Sequence, residues 1–291
     1  AARLRSITSR SEIGFRPVIR STLSDLMSEK PSRIERPNVT MSSLDQGIGA
    51  VLHGLHDFGL VENTVVICTT DHGIAFPGSK ATLFDRGTGV LMIVRAPGFT
   101  AGKVANAPVS HLDVYPTLCD VAGVEHPGWL QGTSLMPLVR GEVESLHDAI
   151  FTETTYHAAY QPHRAIRTER WKYIRRFDEY PHPVLANCDD SESKELLVAA
   201  GWGEQVVPEE QLYDLVLDPQ EGSNVAADPA RAEVLANLRE RLEAWMRETE
   251  DPLLEGPVAP PEGAIVNEQW QVSPDDPVRI VRADSTAAPS R

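Results

Sequence analysis

The chain has 291 residues, 41% hydrophobic and 24% charged, a composition that excludes overall disorder and supplies one large or two ordinary domains. Its formal net charge is −15, which repels phosphate backbones and anionic lipid and so speaks against nucleic-acid or membrane-surface partners. An anionic substrate would therefore need a local cation, and a metal ion would supply one. No apolar stretch approaches the ~20 residues that span a bilayer, and the opening Ala1-Ala-Arg-Leu-Arg-Ser6 has no apolar signal core. The first residue is not Met, so localisation is left open, as is oligomeric state. Cys68, Cys119 and Cys188 are odd in number and far apart, with no CxxC spacing, which argues against a zinc knuckle or a disulfide framework.

Residues 1–38 are weakly patterned. From Val39 the pattern sharpens: Leu44, Ile48, Val51, Leu52 and Leu55 recur at helical spacing and predict one apolar face on a helix ending near Gly59. Thr64–Thr70 is short, continuous and β-branched and predicts a buried strand, with Cys68 as a small hydrophobe inside it. Val90–Arg95 predicts a second such strand, stopped by Ala-Pro-Gly. Asp113–Val121 predicts a short helix with Pro116 in its first turn and Gly123 as its stop. Helix, strand, loop, strand, helix is the rhythm of an α/β layered sheet.

After about residue 145 the texture changes. Ala149–Glu153, Ala165–Thr168, Trp171–Phe177 and Gln211–Leu215 predict short strands, with one long acidic insertion over residues 187–210. A helix follows, with Asp228 as N-cap, Pro229 at its first position and a stripe of Leu235, Leu238, Leu242 and Trp245. Strands grouped before a helix fit a small antiparallel sheet with a helix laid on it. The Pro-rich tail from Asp251 predicts extended chain. The expected division is 1–38, 39–145, 146–250 and 251–291.

Ligands of α/β sheets collect at the carboxyl ends of strands, where Asp71-His72-Gly73 is placed. Asp offers a hard oxygen, imidazole a nitrogen, and Gly a backbone that can turn sharply. Two adjacent donors do not complete a site, and alone the pair reads better as a turn-forming Asp beside a surface His.

The flanking residues add context. Asp71-His72-Gly73 is followed at fixed spacing by Lys80 and by Thr82-Leu-Phe-Asp85. Downstream come Ser110-His-Leu-Asp-Val-Tyr-Pro-Thr117, Gly132-Thr-Ser-Leu-Met-Pro-Leu138, Arg164-Ala-Ile-Arg-Thr168 with Lys172-Tyr-Ile174, and Leu212-Tyr-Asp-Leu-Val-Leu-Asp-Pro-Gln-Glu-Gly-Ser-Asn224. In order and register, over about residues 39–255, these segments resemble the sulfatase family of the alkaline-phosphatase-like superfamily. The Phe76-Pro-Gly-Ser-Lys80 turn and the Trp245…Pro252 segment are most similar to the heparan N-sulfatase branch. The resemblance implies part of an alkaline-phosphatase-like α/β/α sandwich followed by a small antiparallel sheet-plus-helix subdomain. It implies hydrolysis of sulfate esters or N-sulfates, with an anionic small molecule or sugar sulfate as substrate.

By the same resemblance, Asp71 and His72 would ligate one divalent ion, calcium in most sulfatases. Many members carry Asn at the second position. His is the variant of phosphonate and phosphodiester hydrolases, and imidazole suits manganese or another transition metal better than calcium. Lys80 matches the cation that holds a sulfate oxygen, where an ammonium meets developing charge. His157 falls where the family brings a loop to the rim of the pocket. Arg164 and Arg167 are expected to pair with local carboxylates rather than substrate, and His111 to serve capping and packing. The Leu-Tyr-Asp-Leu segment reads as a structural turn in which Asp218-Pro219 starts the bend and Asn224 bonds the backbone.

Sulfatases use a formylglycine nucleophile made from the Cys of Cys-x-Pro-Ser-Arg, or keep a Ser there. None of the three cysteines is followed by x-Pro-x-Arg, and Pro31-Ser32-Arg33 follows Glu29-Lys30 instead. The chain is expected to be either part of a longer polypeptide or a non-catalytic relative. Three functions follow: a sulfatase-type hydrolase, a phosphodiester or phosphonate monoester hydrolase on the same site, or a catalytically silent binding protein.

Overall fold

The computed structural model describes residues 36–97, 99 and 102–281. Most of the weakly patterned N-terminal segment, including Pro31-Ser32-Arg33, lies outside the described residues. Helix α1 (Arg36–Asp57) forms where the apolar period predicts it, but Leu44 (57% exposed) and Val51 (56%) face outward. Strand β1 (Val66–Thr69) and, after the short helix α2 (Asp85–Thr88), strand β2 (Met92–Arg95) pair antiparallel, Val66 opposite Arg95 and Thr69 opposite Met92. Neither is the buried strand expected: β1 and Cys68 are half-buried and Ile93 is exposed. Among the described residues each strand has only the other as a neighbour, so the layered α/β/α sandwich is not formed by them. The antiparallel pairing follows from the connection, a loop with one helical turn, where parallel strands need a long crossover helix.

The next helix is α3 (Val114–Ala122), entered through a 3-10 turn at His111–Asp113 and ended by Gly123 at φ 67. Ser110, not His111, is its cap: the Ser110 side chain accepts from Leu112 N, and Asp113 Oδ2 accepts from Ser110 N at 2.8 Å. Helix α4 (Met136–Arg140) follows.

Strands β3 (Ile150–Tyr156), β4 (Tyr160–Arg167), β5 (Trp171–Arg176) and β6 (Glu210–Asp214) form one antiparallel sheet in sequence order. β4 starts five residues before the predicted strand. Its Pro162 sits beside a register shift in β3, between Thr154 and Tyr156, and just outside the β4–β5 ladder, which begins at His163. A missing N–H is tolerated at such a place. The acidic insertion holds helix α5 (Glu192–Ala199), capped by Ser191, whose hydroxyl accepts from Lys194 N.

Helix α6 (Ala232–Glu248) begins as predicted after Asp228, whose carboxylate accepts from Ala230 N at 2.9 Å. Its Leu235, Leu238, Leu242 and Met246 bury against Ile166, Tyr173 and Leu212 on one face of the sheet. Trp245 lies at the edge of that stripe and stacks on Phe151 at 5.0 Å. The other face carries Ala165, Ile174, Tyr213 and Leu215, covered by Leu83 and Phe84 from the segment after β1. That contact places the β1 loop against the sheet. The turn after β6 is as read: Asn224 Oδ1 accepts from Leu212 N at 2.9 Å, and Asp218 Oδ2 accepts from Ser223 N at 2.8 Å.

The tail is not simply extended. It makes a 3-10 turn at Pro252–Leu254, and β7 (Ile265–Val266) pairs with β8 (Arg279–Ile280). Buried Asp251 holds the tail to the sheet through Arg164, with Nε–Oδ2 at 2.5 Å and Nη2–Oδ1 at 3.1 Å. Arg167 pairs with Asp85. Both arginines thus serve local carboxylates, as expected.

Candidate active site

The turn Asp71-His72-Gly73 leaves the carboxyl end of β1. Asp71 Oδ1 accepts from His72 N at 3.0 Å, a local bond typical of Asp in turns. His72 Nδ1 lies 2.6 Å from the Gly73 carbonyl oxygen. A carbonyl only accepts, so Nδ1 carries the proton, and the neutral ring then keeps a lone pair on Nε2. That Nε2 stands 3.6 Å from Asp71 Oδ2, too far for a hydrogen bond.

Gly73 is required for a reason other than a sharp turn. Its N–H donates to Gly87 O at 2.9 Å, and a Cβ built on it would lie 2.0 Å from Arg86 O. Two backbones pass in contact here, which binds the Asp71–Gly73 turn to α2.

Lys80 is held by a tight loop. Its N–H donates to Ile74 O at 3.2 Å, and Thr82 Oγ1 donates to Ser79 O at 2.7 Å. Ala81 between them adopts φ 63, a left-handed conformation that costs a non-glycine residue on the order of 1 kcal/mol. Lys80 Nζ donates to Asp189 Oδ2 at 2.8 Å. Asp189 comes from the acidic insertion and is held below the usual carboxylate range, first by that hydrogen bond. His157 sits in the β3–β4 hairpin and is exposed. Partial burial pushes its pKa down, the Lys80 charge adds to this, and Asp189 opposes it.

Asp71, His72 and His157 therefore line one open cleft of about 400 Å³, with His111 and Tyr156 on its wall. Lys80 stands close enough to act on His157 electrostatically. His111 Nε2 is 2.8 Å from Thr69 Oγ1, so it does pack the site as well as open the 3-10 turn. Asp189 was not singled out in the sequence. It lies 109 residues from Lys80 in a non-periodic acidic run, and no local spacing signals the contact.

The residues present fit a divalent ion as part of a ligand set. Among the described residues Asp71 Oδ2 has no partner nearer than His72 Nε2, and the Nδ1 bond to Gly73 O orients the ring as carbonyls orient metal-bound imidazoles. Two donors at ~2.1–2.4 Å from a shared ion stand roughly 3–3.6 Å apart. Among the described residues no group of three His, Cys, Asp or Glu side chains gathers, so the pair alone does not complete a coordination shell.

Family models match in two overlapping stretches: "Sulfatase" over residues 22–124, and "N-sulphoglucosamine sulphohydrolase, C-terminal" over residues 76–196. The first match starts ahead of the Val39 onset of the motif pattern. The chain is similar to N-sulphoglucosamine sulphohydrolase of Homo sapiens, 30% identical over 252 residues, covering 78% of the chain and 49% of that protein. It also resembles the structure of BT4656 in complex with its substrate D-glucosamine-2-N,6-O-disulfate, with TM-score 0.60 and 25% identity over 73% of the chain and 40% of that one. A third likeness is to the phosphonate monoester hydrolase of Agrobacterium radiobacter, with TM-score 0.55 and 26% identity over 77% of the chain and 44% of that one. The chain spans about half the length of the curated relatives it matches. On these matches and its ordered motifs, the chain belongs to the sulfatase family and carries the N-sulphoglucosamine sulphohydrolase C-terminal domain.

Proposed function

We propose that this chain contributes to a sulfatase-type hydrolase of sulfate esters or N-sulfates on sugars, as part of an alkaline-phosphatase-like α/β/α sandwich. The observation that carries the reading is the convergence of Asp71, His72 and His157 on one cleft, with Lys80 beside it. In a chain of net charge −15, an anionic substrate is admitted only where local positive charge exceeds the global field. Lys80 has three donors and gives one to Asp189, leaving two for a sulfate oxygen. Asp71 Oδ2 and His72 Nε2 would hold the divalent ion that the family typically binds. Such an ion supplies positive charge against the anionic ester and activates a nucleophile. His157, kept neutral to lower pH by burial and Lys80, offers a rim hydrogen bond to the sugar. The formylglycine nucleophile is not provided by any Cys of this chain, none of which is followed by x-Pro-x-Arg.

The second reading is a phosphonate monoester or phosphodiester hydrolase. His72 favours it, because imidazole prefers manganese and similar ions to calcium, and the likeness to a phosphonate monoester hydrolase supports it. Paired assays on N-sulfoglucosamine, aryl sulfate and aryl phosphonate, with the gene product that contains this chain, separate the two. The first reading expects sulfate turnover, with kcat/KM in Lys80→Ala lower by about 10²–10³. Faster phosphonate turnover supported by manganese and not calcium would replace it with the second. Sulfate turnover unaffected by Lys80→Ala would refute the role of Lys80.

A further inference from the structure

Two segments singled out by their sequence have no part in the proposed reaction: Thr82–Asp85, after the Lys80 loop, and the turn from Asp218 to Asn224. The fold brings them together. Glu221 Oε2 accepts from the Asp85 backbone N–H at 2.6 Å, a contact across 136 residues, and Gln220 O accepts from Arg86 Nη1 at 3.1 Å. The turn is itself held: Glu221 N donates to Asp218 O at 3.0 Å, and Asn224 Oδ1 accepts from Leu212 N on β6. Helix α2 is therefore tied at its first residue to the antiparallel sheet.

Glu is an unfavourable residue for a turn that only has to be stable. At position 221 the backbone has φ 54, a left-handed conformation that Gly or Asn adopts more readily. Glu221 is 5% exposed, and its Oε1 is sealed without a hydrogen-bond partner among the described residues. Backbone strain and an orphaned buried acceptor both lower stability. What the side chain adds is the Oε2 contact to α2.

Helix α2 is in turn the element against which the Asp71-His72-Gly73 turn is set. Gly87 O accepts from Gly73 N, and Arg86 O closes on the Gly73 Cα. Gly87 also presses on the Lys80 loop, where a Cβ built on it would lie 2.3 Å from Ser79 O and 2.5 Å from Thr82 O. These are contacts of backbone on backbone, with no flexible side chain between them to absorb a displacement. Lys172 and Arg167 hold the Asp85 carboxylate from the sheet, at 2.9 and 3.3 Å. They fix its side chain, while Glu221 fixes its backbone N–H. Glu221 does not line the Asp71 cleft.

We propose that Glu221 is a positioning residue for the Asp71-His72-Gly73 turn. Through the Asp85 N–H it sets α2, and through Gly87 O it sets how Asp71 and His72 face a shared divalent ion. This rests on the reading of Asp71 and His72 as metal ligands.

The test is a manganese titration followed by electron paramagnetic resonance, on the gene product that contains this chain, with a melting temperature for each variant. Asp71→Ala is the reference for a lost ligand. Glu221→Ala is expected to raise the manganese Kd about tenfold, the low end of what outer partners of metal ligands carry. Glu221→Gln keeps an acceptor oxygen for Asp85 N and is expected to stay within about twofold of wild type. Leu242→Ala, on the opposite face of the sheet, is expected to lower the melting temperature and leave Kd unchanged, which separates positioning from stability. Glu221→Asp suits the left-handed backbone but is one carbon shorter; it serves should Glu221→Ala fail to fold, with Kd raised about threefold or more. If Asp71→Ala weakens binding and neither Glu221→Ala nor Glu221→Asp does, the proposal alone is overturned. It is also overturned by equal weakening in Glu221→Gln or Leu242→Ala. Wild-type binding no tighter than that of Asp71→Ala would instead remove the ligand reading, and the proposal with it.

Discussion

Replacing Asp251 by Ala leaves the Arg164 guanidinium in the interior with its main counter-charge gone. Arg164 is 1% exposed and Asp251 is 2% exposed at the side chain, and they meet through two hydrogen bonds at 2.5 and 3.1 Å. Arg164 also donates to Thr154 O at 2.7 Å, His163 O at 2.9 Å and Thr155 Oγ1 at 3.1 Å, so these carbonyls and the hydroxyl remain after the substitution. Glu153 lies 3.3 Å from Nε but is 59% exposed, so its help is screened. Breaking a buried pair costs about 3–5 kcal/mol, and the remaining partners put this case near the lower end, about 3 kcal/mol. With a urea slope of roughly 3 kcal/mol per M, the unfolding midpoint falls by about 1 M. The tail beyond Pro252, anchored through Asp251, is expected to become more sensitive to limited proteolysis at the same time. Arg164→Met with Asp251→Leu removes both charges and is expected to be more stable than Asp251→Ala alone. An Asp251→Ala protein within about 0.5 kcal/mol of wild type would refute the argument, because an uncompensated interior guanidinium cannot be that cheap.

Leu242, 1% exposed on the buried face of α6, should cost about 2–5 kcal/mol when cut to Ala, read as a shift in denaturant midpoint. Gly73→Ala drives a Cβ to 2.0 Å from Arg86 O, so calorimetric titration with calcium or manganese is expected to show weaker binding and melting to show lower stability. His163 has a folded pKa of about 4 against an ordinary 6.5. Between those values the unfolded chain holds the extra proton, so stability present above pH 6.5 is lost as pH falls towards 4, by about 3 kcal/mol; a His163→Gln protein should show a shallower loss in denaturation across that window. NMR titration of His157 should give a higher pKa in Lys80→Met, which removes a repelling cation, and a lower one in Asp189→Asn, which removes a supporting anion.

Local chemistry was legible. The cap at Asp228, the αL stop at Gly123, the stripe of α6 and the Asn224 turn each depend on residues a few positions apart, and all appear where spacing puts them. Motif order along the chain likewise identified the family. Long-range placement was less readable. β4 begins at Tyr160 although Pro162, His163 and Arg164 break its apolar run, because a register shift, a cavity and Asp251 accommodate them. Helix α5 was missed inside the acidic insertion because it has little apolar stripe, and its Lys194 is buried by pairing with Asp190 and the Cys188 carbonyl. Burial of β1 was overestimated, since a continuous apolar run reports what a strand could bury and not what lies against it.

By itself the sequence determined which chemistry the Asp71-His72-Gly73 turn and Lys80 can offer, because oxygen, nitrogen and ammonium donors are properties of the residues and their spacing follows from one short loop. Tertiary structure alone decided that Asp189 reaches Lys80 across 109 residues. It alone decided that Gly73 serves a close backbone crossing, and that His163, Gln161 and Gln211 line one cavity. The physical reason is the same each time. Such contacts depend on which faces pack together, and packing of the Lys80 loop and the acidic insertion onto the sheet is set by shape and burial summed over the whole chain.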